Sequence, residues 1–185
     1  MPSNLEIKVK VASLAPYRRR LANLDGCQRA ARLRQADHYF HVPHGYLKLR
    51  VVAGGVSELI FYRRPKRPGA RQSRYSKWTV EAPRRGKGSG SEAQADRNVD
   101  AVLGILSAAL GVETVVRKTR DVFLVDGARI HLDRVAGLGT FVEIEVLIER
   151  AGRGSARLMR ELCEHLKLPK AATPGSYRDL LRRKD

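Results

Sequence analysis

Apolar and polar residues alternate along much of this chain. Between Leu5 and Val11, the side chains of Leu5, Ile7, Val9 and Val11 fall on one face of an extended strand, and Glu6, Lys8 and Lys10 fall on the other. The same period of two returns over 32–41, 46–52, 57–64, 73–81, 115–125, 128–134 and 140–149, which makes eight strand candidates. Pro43 to Gly45, the Gly54 and Gly55 pair, and Asp126 with Gly127 supply turns between them. Helical spacing appears after Ser13, a suitable N-cap, with Leu14, Tyr17, Leu21 and Leu24 on one side and a stop near Gly26. It recurs over 97–110, ending at Gly111, and again through Leu158, Met159, Leu162, Cys163 and Leu166. The Gly-, Ser- and Arg-rich stretch from Pro83 reads as an exposed loop. The pattern predicts an α+β fold built around an antiparallel sheet or barrel. It predicts one domain over 1–185, with a basic flexible loop at about 83–96 and a C-terminal helical segment at 154–185.

The polar faces are unusual because they are charged. Lys48 and Arg50 share a face, as do Lys118 and Arg120, then Arg129, His131 and Asp133, then Glu143 and Glu145. On a single strand such a face is ordinarily solvated. In a closed barrel the same parity turns these groups inward, where desolvation of each ion costs several kcal/mol unless it is paired or ligated. The mixture of signs matters. Cations hold phosphates, whereas carboxylates are suited to Mg²⁺ or Mn²⁺.

Composition extends this picture. The net charge of +17 points to a polyanionic partner without naming it. Ten Lys or Arg lie between Arg63 and Lys87 against one acid, Glu81, a segment that reads as a solvated loop, a funnel for anions or a nucleic-acid patch. Tyr75 and Trp78 within it suit either a half-exposed strand face or a stacking platform for bases. Cys27 and Cys163 match no zinc or redox spacing. No apolar run approaches the ~18 residues of a membrane span, and no leader pattern opens the chain, so a cytoplasmic protein with no membrane partner is expected. His131 reads as a structural histidine, and His38, His41 and His44 as rim positions around a turn.

A series of motifs in order resembles the CYTH family, which includes class IV adenylate cyclases, thiamine triphosphatases and tripolyphosphatases, the triphosphate tunnel metalloenzymes. The series runs from Glu6, Lys8 and Lys10 through Lys48 and Arg50, Arg63 before Pro65, Lys118 and Arg120, and Arg129 to Asp133, to the strand Gly137 to Glu145. The opening motif departs from the family at Lys8, where an acid is expected. The tail from Gly175 through Tyr177 and Asp179 resembles the cyclase-like branch.

The resemblance implies an eight-stranded antiparallel tunnel, with helices packed outside, that holds a triphosphate and Mg²⁺ or Mn²⁺. By position, Glu6, Glu143, Glu145 and, more weakly, Asp133 are implied as metal groups. Lys8, Lys10, Lys48, Arg50, Arg63, Lys118, Arg120 and Arg129 are implied as phosphate contacts, with Lys10, Lys118 and Arg120 closest to the chemistry. The implied partner is a small-molecule triphosphate: ATP, tripolyphosphate or thiamine triphosphate. Either cyclisation of ATP or hydrolysis fits these motifs, and the tail favours the cyclase-like branch. The alternative is a non-catalytic binder of polyphosphate or nucleic acid, the latter through the basic loop. The oligomeric state is left open, with a dimer admissible.

Overall fold

The computed structural model describes residues 3–63, 71–80, 90–148 and 153–184. The described residues form eight strands and four helices. They are β1 (Ser3–Val11), α1 (Ala15–Ala22), β2 (Gln28–Phe40), β3 (Tyr46–Val52), β4 (Ser57–Arg63), β5 (Arg71–Val80), α2 (Gly90–Leu110), β6 (Val112–Val125), β7 (Ala128–Val135), β8 (Gly139–Leu147), α3 (Arg153–His165) and α4 (Tyr177–Leu181). The strands close into an antiparallel barrel in the order β1-β5-β4-β3-β2-β6-β7-β8. Closure rests on β1, whose first residues pair with β5 while the whole strand pairs with β8. Asp126 and Gly127 take φ of 31° and 77° at the β6–β7 turn, the left-handed geometry that a tight two-residue hairpin requires.

The barrel inverts the usual arrangement of a small β-barrel, because its hydrophobic core lies outside. Val9, Leu132, Val142 and Ile144 point outward beneath Leu14, which precedes α1, Leu21 of α1, and Met159 and Leu162 of α3. On another flank, Leu49 and Val80 pack with Val99 of α2. Pro16 sits in the first turn of α1, where its missing N–H costs nothing. A third cluster, with Tyr39, Val116, Val135 and Phe141 around Tyr177, forms an apolar base at one end of the interior. Among the described residues no helix is long and apolar enough to cross a membrane.

Several boundaries differ from the sequence reading. The helix after Ser13 begins at Ala15 with Leu14 as its cap, although Ser13 Oγ still accepts from the Ala15 N–H. Residues 90–96, expected within the basic loop, belong to α2, and Glu92, Ala93 and Gln94 there are all good helix formers. Residues 83–89 lie outside the described residues. The C-terminal segment splits into α3 and α4, with Ser176 capping α4 reciprocally with Asp179.

Candidate functional site

Inward parity gathers the charged faces into one cavity of about 200 Å³. Glu6 and Lys8 of β1 line it, together with Lys48 and Arg50 of β3, Lys118 and Arg120 of β6, Arg129 of β7, and Glu143 and Glu145 of β8. All of them come from separate stretches of sequence that only barrel closure brings together.

Two carboxylates organise the cations. Asp37 of β2, 2% exposed, accepts from Lys48 Nζ at 3.0 Å, from Lys118 Nζ at 2.9 Å, and from Arg50 Nε and Nη2 at 2.8 and 3.1 Å. Burial alone would raise its carboxyl, but the charges of Arg50, Lys118 and Lys48 outweigh that and hold it well below the usual carboxylate range. Burial, followed by the charge of Arg50, pushes Lys48 down to about 7. Burial also pushes Lys118 down, to about 8, with Arg50 and Arg120 adding to the effect against Asp37. Asp133 plays the matching part for Arg120, accepting from its Nε at 2.7 Å and its Nη2 at 2.6 Å. The Tyr177 hydroxyl donates to the same carboxylate at 2.7 Å.

Glu143 joins the cationic and acidic parts of the site. Its Oε1 lies 2.9 Å from Lys8 Nζ, and its Oε2 accepts from Arg120 Nη2 at 2.6 Å. Desolvation opposes ionisation here, yet Lys8 and Arg120 hold this carboxyl well below its ordinary range. His131 Nδ1 stands 3.4 Å from Glu143 Oε2 and 3.7 Å from Glu145 Oε1. One ligand atom from each of His131, Glu143 and Glu145 falls within 4.8 Å of the others, a cluster suited to a divalent metal. Glu6 faces Glu145 across the β1–β8 pair. Asn4 Oδ1, buried with no hydrogen-bond partner, adds an oxygen to the same cavity. This donor set fits one hard cation, with imidazole as its one nitrogen ligand.

A CYTH domain model matches residues 3–169 of the chain. The chain belongs to the CYTH family. No curated protein matches it by sequence. Among solved structures, the PH1012 protein of Pyrococcus horikoshii is 20% identical, with a TM-score of 0.76 over 96% of this chain and 98% of that one. A conserved Pyrococcus furiosus protein of unassigned role is 23% identical, with a TM-score of 0.75 over 96% and 99% of the two chains. A Hippeastrum protein assigned as an adenylyl cyclase, with a dominant triphosphatase activity, is 16% identical, with a TM-score of 0.65 over 100% and 97%. At these identities the likeness is one of fold.

Three expected site residues of this CYTH chain do not join the cavity. Lys10 shares the parity of Lys8 but is exposed, because the interior reaches its base at Lys8, whose Nζ sits 4.2 Å from the Tyr177 ring centroid. Beyond that point Thr173 lies along β1 and accepts from the Lys10 N–H. Arg63 is exposed on the outer face beside the Phe61 ring, because Glu58, Ile60 and Tyr62 are the inward residues of β4. Arg64, expected to point outward, lies outside the described residues. Asp133 is fully buried and spends its oxygens on Arg120 and Tyr177, which sets it apart from the metal-capable cluster. Two residues gain importance instead. Asp37 had no charged neighbour at strand spacing to mark it, and His131, read as structural, stands among the metal-capable groups.

Proposed function

We propose that this protein is a divalent-metal-dependent hydrolase that binds a triphosphate with its terminal phosphate innermost and releases orthophosphate. The observation that carries this reading is the charge balance of the inner cavity. At its inner end Lys8, Lys48, Arg50, Lys118 and Arg120 meet Asp37, Asp133 and Glu143, five basic groups against three carboxylates, and burial with this crowding is what depresses Lys48 and Lys118. Buried cations in excess call for an anion. The cavity is blind at the Tyr177 end and smaller than the roughly 300–1,000 Å³ of sites that enclose drug-sized ligands. That suits a polyphosphate chain better than a whole nucleotide.

Lys48, Lys118 and Arg50 would bind the innermost phosphoryl oxygens, held in place beforehand by Asp37. Arg120, fixed by Asp133, and Lys8 would donate to the oxygens on which charge grows as water adds in line to phosphorus and the bridging P–O bond breaks. Glu143, Glu145 and His131, with Glu6 nearby, would hold Mg²⁺ or Mn²⁺, which supplies Lewis-acid polarisation of the phosphate oxygens. Arg129, opposite Glu145 at the outer part of the cavity, would meet the trailing phosphate. The triphosphatase activity of the Hippeastrum protein supports the choice of hydrolysis.

A cyclase reading draws on Ser176 and Tyr177, because the tail that resembles the cyclase-like branch itself reaches the cavity. Incubation with tripolyphosphate or ATP, with Mg²⁺ or Mn²⁺, decides between them. Orthophosphate with pyrophosphate from tripolyphosphate supports the hydrolase. Cyclic AMP with pyrophosphate from ATP moves the assignment to the cyclase. No turnover with either metal leaves a binding protein.

A further inference from the structure

The helices do not cover the whole barrel. Helices α1 and α3 pack over one flank and α2 over another, and between them the outer face of β2, β6 and β7 carries a concentration of arginine. Thr119 of β6 pairs with Arg34 of β2 on one side and with Arg134 of β7 on the other. Arg117, two residues along β6, pairs with Ala36. Arg34, Arg117 and Arg134 are therefore cross-strand neighbours, all exposed, around a shallow floor that includes Ala36, Ala53 and Ala136. None of the three has an ion-pair partner among the described residues.

The patch continues along β2. A register shift between Arg29 and Ala31 lets both Arg29 and Arg32 reach the outer side, the re-aiming that a β-bulge produces. Asp121 receives Arg29 at 2.8 Å, Arg18 of α1 at 2.5 Å and Arg32 at 3.9 Å. It is the one outward carboxylate across residues 29–34, 117–123 and 130–134. Arg18, Arg29, Arg32, Arg34, Arg117 and Arg134 against Asp121 leave a net charge of +5, six minus one, and none of these six arginines lines the tunnel.

We propose that this outer face of β2, β6 and β7 docks the phosphate backbone of double-stranded nucleic acid, without regard to base sequence. Guanidinium forks match phosphate oxygens in pairs, and every cation on the patch is arginine. The floor is mostly alanine, with Gln35, Thr119 and Val135, and has no large apolar side chain to enter a lipid surface. It also has no aromatic ring on which the bases of a single strand could stack, which leaves a backbone of fixed spacing as the partner. Arg34 and Arg134 lie two strands apart, roughly 10 Å, and Arg29 to Arg34 extends roughly 15 Å along the strand. Those dimensions suit phosphates flanking a groove roughly 6–12 Å wide.

The test is fluorescence anisotropy of a labelled 20-base-pair duplex across a KCl series. It compares the intact chain with the triple variant Arg34→Ala, Arg117→Ala, Arg134→Ala and with the corresponding Arg→Lys triple. The alanine triple should bind at least roughly tenfold more weakly at 100 mM KCl, with the slope of log affinity against log salt smaller by roughly 2–3. The lysine triple should keep most of that slope, tripolyphosphate should not displace the duplex, and hydrolysis of tripolyphosphate should be unchanged in both variants. The proposal is overturned by no duplex binding, by equal binding of the alanine triple, by loss of the slope in the lysine triple, or by displacement with tripolyphosphate. Binding of phosphatidylserine vesicles in preference to duplex also overturns it.

Discussion

Lys8 and Glu143 stand directly opposite each other on paired strands, with the ammonium 2.9 Å from Glu143 Oε1. A positive charge thus occupies a position where the family motif has an acid, and it neutralises part of the metal-capable cluster. Replacing Lys8 by alanine should tighten Mn²⁺ binding by at least about tenfold, about 1.4 kcal/mol, since one unit charge several ångströms away is worth a few kcal/mol at an effective dielectric of about 20 and Glu143 and solvent offset part of it. Titration of free Mn²⁺ by electron paramagnetic resonance measures this. Unchanged affinity would show that Lys8 does not restrain the site.

Asp37 holds together the buried Lys48 and Lys118 and the part-buried Arg50. The Asp37→Asn substitution should cost about 3–5 kcal/mol of stability, because the buried positive charges lose their counter-ion. For a chain of this length that corresponds to a fall in Tm of roughly 6–20 °C. Added tripolyphosphate should recover much of the loss, since it supplies the missing negative charge and binds only the folded form. Differential scanning calorimetry with and without the anion tests both halves.

The depressed lysines make binding and stability pH-dependent. Lys48 near 7 and Lys118 near 8 lie below the 10.5 of an unburied lysine. Between those values and 10.5 the unfolded chain binds more protons, so the contribution of these two groups to stability rises with pH across that window. It is complete above the unfolded value and is lost as pH falls through 8 and 7. A bound polyanion raises both pKa values, so binding at pH 8 should take up on the order of one proton. Calorimetric titration in buffers of different ionisation enthalpy reads that number, and proton release would contradict it.

Tyr177 closes the base of the cavity. Its ring meets Phe141 edge-on with centroids 5.0 Å apart, and its hydroxyl donates to Asp133. Tyr177→Phe should cost about 1 kcal/mol, because Asp133 keeps Arg120, while Tyr177→Ala should cost about 3–5 kcal/mol through the cavity it leaves. Urea unfolding separates the two, and equal costs would show that the ring does not seal the base.

Legibility followed local periodicity. The alternation at Glu6 and Lys8, at Lys118 and Arg120, and at Glu143 and Glu145 marked both the strands and the residues that line the interior. Asp37 escaped notice because its inward neighbours Leu33, Gln35 and Tyr39 carry no charge, so strand spacing had nothing to repeat. Lys10 and Arg63 failed for other reasons. Parity does not tell how far along a strand the cavity extends, and one residue of phase at β4 reverses every side chain. Asp133 shares the inward parity, but only the tertiary contact with Tyr177, forty-four residues away, reveals that its oxygens are already taken. Helical composition in 90–96 was masked by glycine and serine next to it.

In the proposed function, cations from β1, β3 and β6 grip a triphosphate while acids and an imidazole from β7 and β8 hold a metal beside it. Crystals grown with Mn²⁺ and a non-hydrolysable triphosphate, measured at the manganese absorption edge, test it directly. The account predicts an anomalous peak among His131, Glu143 and Glu145, with phosphate density running inward past Arg120 toward Lys48 and Lys118. A metal bound elsewhere, or a triphosphate confined to the outer surface, would contradict it.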